Sequence, residues 1–123
     1  MSPRLALIIG AIQSFAFGVP LLLFPATVLA ISGLALPDAG AAIARGAGAT
    51  VVGLGVIDWM LRDSRGPALR GLLVGNLAVQ ALSFLVSGGE VLAGHLPVQA
   101  ASASLLHLAL SLIFLLALRT AGR

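Results

Sequence analysis

The chain has 123 residues, 59% hydrophobic and 9% charged, against about 45–50% and about 25% in soluble domains. That composition excludes an ordinary soluble domain and predicts an all-α integral membrane protein, a single four-span domain folded as a bundle of two helical hairpins. The formal charge of +3 rests on arginines flanking apolar runs, with no lysine, so there is no basic face for nucleic acid; zero cysteines exclude disulfides, thiolate metal sites and thiol nucleophiles.

A membrane crossing takes about 20 predominantly apolar residues, and residues 5–24, 39–61, 67–87 and 97–118 qualify. Arg4 followed by the apolar run 5–12, and later Thr27-Val28-Leu29-Ala30, loosely imitates a signal peptide with a small-residue cleavage site. An uncleaved first span is the expectation. Its polar residue is Gln13, and Pro20 should kink it by deleting a backbone hydrogen bond. Residues 25–37 are apolar but too short to cross, so they should lie at the membrane surface or fold back partway.

Lipid tails are as apolar as leucine, so close backbone approach through small residues must supply much of the attraction between helices. In the second span Ala42, Gly46, Ala49 and Gly53 form one small-residue stripe, read here as the main packing seam. Arg45 borders it. Asp38 precedes Arg45 by seven residues, two turns on nearly the same face, which permits partial charge compensation. A mid-membrane arginine costs about 2.5–3.5 kcal/mol, less where the side chain snorkels to the headgroups. At the end of this span Asp58 and Arg62 are spaced for an i,i+4 ion pair, with Trp59 beside them as an interfacial anchor.

The third span offers Gly71 and Gly75 as a shorter small-residue pair, then a polar stripe of Asn76, Gln80, Ser83 and Ser87. Ser104, His107 and Ser111 follow one face of the fourth. Such residues are unfavourable against lipid and should turn inward, either to hydrogen-bond between helices or to line a cavity. Leu36-Pro37-Asp38-Ala39-Gly40-Ala41 and Leu96-Pro97-Val98-Gln99-Ala100-Ala101 open the second and fourth spans alike. Each proline suits a first helical turn.

Arg4, Arg62, Arg65, Arg70, Arg119 and Arg123 fall on one side of this topology, while the opposite loops carry Asp38, Glu90 and His95 but no arginine. Under the positive-inside rule both termini are expected to be cytoplasmic. That bias argues against a dual-topology small multidrug transporter, which needs balanced loops and an acidic residue in the first span. Counted inward from the outer ends, Arg45, Gln80 and Ser104 share a level, with His107, Asn76 and Gln13 deeper. These six residues are the candidate ligand-binding set, a pocket open to the outer face, where a guanidinium with amide and imidazole neighbours could hold a carbonyl, carboxylate or lipid phosphate.

Haem ligation between His95 and His107 within one subunit is excluded, because they share one chain segment and stand about 18 Å apart if helical. No paired carboxylates, phosphate loop or Ser–His–Asp constellation is present, so no catalytic or metal-ligating residue is assigned.

The run Phe24-Pro25 … Ser32-Gly33-Leu34 … Pro37, then Ala44-Arg45-Gly46-Ala47-Gly48 and Gly53-Leu54-Gly55, resembles the small bacterial four-helix proteins near the DoxX-like group. The resemblance covers roughly the first half of the chain and maps that group's arginine-with-glycines pattern onto Arg45, Gly48 and Gly55. It implies the fold, and some relatives in that group are described as membrane subunits linked to sulfur-compound oxidation and quinone. Fold does not carry that activity over. The expectation is a non-enzymatic structural or accessory subunit, in a homo-oligomer or larger membrane complex. The alternative is a binder or transporter of a small lipophilic or anionic molecule, with quinone the candidate cofactor.

Overall fold

A computed structural model describes residues 1–121; Arg123, counted above with the tail, lies outside them. Five helices form: α1 (Pro3–Leu23), α2 (Pro25–Ile31), α3 (Asp38–Met60), α4 (Gly66–Leu92) and α5 (Ala101–Ala121), the last entered through a 3₁₀ turn at Val98–Ala100. All but α2 are long and apolar enough to cross a membrane. The protein is a small multi-pass membrane protein.

Local chemistry sets the helix ends. The Ser2 hydroxyl accepts from the Leu5 amide at 3.2 Å, with Pro3 in the first turn of α1. Gly33 and Gly94, at φ +76° and +78°, close α2 and α4. At each the two amides that follow the cap return to the last turn: Gly33 to Ala30 and Leu34 to Leu29, Gly94 to Val91 and His95 to Glu90. Only a residue at ease in the left-handed region closes a helix in this way. Pro37 and Pro97 both stand one residue before their helical turns, in extended backbone.

Two helix pairs build the bundle. α3 lies along α1, α4 lies along α5, and the pairs meet chiefly where α1 touches α5 and α4. At the arginine-bearing end Ala6, Leu7, Leu73, Phe114 and Ala117 form a fully buried apolar core. α2 folds back against α1 and α3 at the other end.

The α1–α3 seam uses different glycines from those expected. A Cβ at Gly48 would lie 2.6 Å from the Leu22 amide nitrogen, and one at Gly55 would lie 2.9 Å from the Ser14 Cβ. Ala42 and Ala49 are exposed, and Gly46 and Gly53 have no neighbour within 4 Å of a built Cβ. The reason is a two-residue offset: Gly48 and Gly55 repeat the seven-residue spacing of Gly46 and Gly53 but lie about 200° around the helix. Gly71 and Gly75 are likewise open.

Candidate functional site

The inward polar residues form three separate clusters along α4. Furthest from the arginine-bearing end, Ser87 and Ser104 join α4 to α5 through a 2.7 Å hydroxyl–hydroxyl hydrogen bond. In the middle His107 Nδ1 lies 2.6 Å from Gln80 Oε1, and Gln80 Nε2 reaches Gln13 Oε1 at 3.5 Å, linking α5, α4 and α1. Nearest the arginines, Asn76 Nδ2 donates to Asp58 Oδ1 at 2.7 Å and to the Leu72 carbonyl at 3.1 Å. From Asn76 to Ser87 is eleven residues of α4, about 16 Å of polar ladder inside an apolar bundle. Each link satisfies groups that lipid could not.

The ladder fixes the imidazole. Gln80 Oε1 is an acceptor, so neutral His107 carries its hydrogen on Nδ1 and keeps Nε2 as a lone-pair acceptor. His107 also lines a cavity of about 540 Å³ between α1, α2 and α5. Phe17 and Leu21 come from α1, Val28, Leu29 and Ile31 from α2, Ser32 from the turn that caps it, and Ser102, Ala103 and Leu106 join His107 from α5. Volumes of about 300–1,000 Å³ with apolar walls and a few placed polar groups are typical of small-molecule sites. α2 thus serves as a wall, a role that its apolar composition alone did not reveal.

Arg45 does not join this arrangement. It is exposed on α3, forms no ion pair with Asp38, and lines neither the cavity nor the ladder. Of the six candidate ligand residues, His107 alone faces the void. Gln80 and Gln13 stand behind it, Ser104 is tied to Ser87, and Asn76 is tied to Asp58.

Asp58 is the residue that the sequence reading misassigned. Helix α3 ends at Met60, so Arg62 leaves the helical path and no i,i+4 pair forms. Arg62 donates to the Trp59 carbonyl, packs 4.4 Å over the Trp59 ring and approaches Asp63, which Arg4 pairs at 2.7 Å. Asp58 turns the other way and is fully buried. A lone carboxylate in an otherwise uncharged stretch of span was the available signal. No group of three metal-ligating side chains occurs among the described residues.

Fold and site together define a small four-helix membrane protein with an internal polar ladder and a lateral apolar cavity. No family model, curated protein or solved structure matches the chain, so the resemblance of its first half to the DoxX-like group rests on those motifs alone.

Proposed function

We propose that the protein binds a small lipophilic molecule in the bacterial inner membrane, with both termini cytoplasmic. The observation that carries this reading is the cavity of about 540 Å³ whose one ionisable lining residue, His107, is oriented from behind by Gln80. Apolar walls select a lipophilic body. An imidazole whose Nδ1 hydrogen is committed to Gln80 offers Nε2 as an acceptor, so the matching ligand group is a hydroxyl or another donor. A quinol hydroxyl meets that requirement better than a quinone carbonyl. The anionic ligand weighed for Arg45 loses its support, because that guanidinium is away from the cavity.

The test is to purify the protein in mild detergent, extract it with organic solvent and identify retained molecules by mass spectrometry. Wild type should retain one lipophilic species that Ala103→Trp, which fills the cavity, loses. Identical extracts from the two proteins would refute the reading.

A second reading, that of an accessory subunit, draws on the open face of α3, where Ala42, Gly46, Ala49 and Gly53 lie uncovered beside Arg45. Such a face fits close approach by a helix of another subunit or a second copy. Cross-linking at Ala49→Cys in native membranes separates a partnered face from a lipid-covered one.

A further inference from the structure

The Asp58–Asn76 contact leaves two acceptors unaccounted for. Asp58 is 0% and Asn76 2% exposed, and both hydrogens of the Asn76 amide are used, one on Asp58 Oδ1 and one on the Leu72 carbonyl. Asp58 Oδ2 and Asn76 Oδ1 remain buried with no hydrogen-bond partner. Each is bonded to the same carbon as one end of the 2.7 Å hydrogen bond. Buried polar atoms without partners are rare in folded proteins, and two acceptors on residues already hydrogen-bonded to each other would both be satisfied by one proton between them.

Among the described residues no donor reaches either oxygen and no ion pair includes Asp58. α1 presents Gly10, where a built Cβ would lie 2.8 Å from Asp58 Oδ2, and α5 presents the Phe114 ring, 2.8 Å from the same built Cβ. α4 presents Asn76. None of these titrates. Among the described residues the charged groups at this end are the Met1 amino group, Arg4, Arg62, Asp63, Arg65, Arg70 and Arg119, of which Arg4, Arg62 and Asp63 interact with one another. Gly10 lies six residues beyond Arg4, and Asn76 six beyond Arg70, so the pair sits about 9 Å inside the arginine level.

We propose that Asp58 and Asn76 form a proton-binding site inside the bundle. One proton on Asp58 Oδ2 turns that oxygen into a donor to Asn76 Oδ1 and closes a reciprocal acid–amide pair with two hydrogen bonds. Gly10 gives the carboxyl its space, since any side chain there would occupy it. Release of the proton leaves an unpaired carboxylate against Phe114 and Gly10, so the site binds its proton in the closed bundle and gives it up only when this region opens to water. Asn76 and Gln80 are one turn apart on α4, which puts the proton site and the His107 cavity on one polar ladder. The proposal stands independently of the cavity reading.

Infrared spectroscopy of the protein in liposomes at neutral pH tests it. The expected result is a protonated carboxylic C=O band that shifts in heavy water, moves on carbon-13 labelling of aspartate and is missing from Asp58→Asn. That variant supplies an N–H to the Asn76 oxygen and should fold with an equilibrium within about tenfold of wild type. Asp58→Leu, which supplies no donor, should lose more than tenfold, each tenfold being about 1.4 kcal/mol. Absence of the aspartate-derived acid band from wild type would overturn the proposal, and that measurement does not depend on any variant folding. So would thermal stabilisation by sodium chloride over choline chloride that Asp58→Asn abolishes, because the site would then hold a metal cation.

Discussion

Substituting Gly48 by alanine tests the α1–α3 seam most directly. The added Cβ would lie 2.6 Å from the Leu22 nitrogen, 2.9 Å from the Leu22 Cα and 3.0 Å from the Gly18 carbonyl oxygen. All three are backbone atoms, so no rotamer change relieves the clash. Reaching ordinary contact at about 3.5–4.0 Å requires the two helices to separate by about 1 Å along a seam where α1 and α3 make most of their contact. Overpacking of this kind costs about 1–3 kcal/mol, or about 5- to 150-fold in the folding equilibrium at 1.4 kcal/mol per tenfold. Gly46→Ala is the matched control, with nothing within 4 Å of its built Cβ and alanine the better helix former. Reversible unfolding in mixed detergent micelles, followed by circular dichroism, should therefore destabilise Gly48→Ala and leave Gly46→Ala equal to wild type or slightly above it. If Gly46→Ala is as damaging as Gly48→Ala, the seam is on the other face of α3 and the reasoning fails.

Two further outcomes follow from the cavity and its wall. His107→Ala should lose the retained lipophilic species while Arg45→Ala keeps it, read by mass spectrometry of solvent extracts, because His107 lines the cavity and Arg45 does not; the reverse pattern would return the site to α3. Gly33→Ala forces a Cβ into the left-handed region, with Pro97 Cγ 3.3 Å away, and should cost about 1–2 kcal/mol. The same change should weaken ligand retention, because α2 walls the cavity, and thermal unfolding with and without extracted lipid separates the two effects.

The polar ladder was legible as a pattern and not as a set of partners. Asn76, Gln80, Ser104 and His107 repeat at helical spacing, and polar side chains that lipid cannot satisfy must face protein. Which residue meets which depends on axial offsets between helices, and these follow from packing at Gly48, Gly55, Phe114 and Leu73. Asn76 therefore pairs with Asp58 and not with the outer set. The Asp58–Arg62 pairing failed for a related reason: i,i+4 spacing has meaning only while the helix continues, and α3 stops at Met60.

Sequence alone determined that this chain makes four membrane-length helices, because apolar run length, prolines and capping residues act within a few positions of themselves. It also determined which residues are too polar to face lipid. Tertiary structure alone decided which side of α3 packs, since Gly46 with Gly53 and Gly48 with Gly55 have the same spacing on nearly opposite faces and only the shape of α1 distinguishes them. It alone buried Asp58, left Arg45 outside, and folded α2 back to wall a lateral cavity beside His107. The physical reason is that helix formation is local, whereas a pocket or a buried pair requires surfaces from distant segments to meet at the right depth.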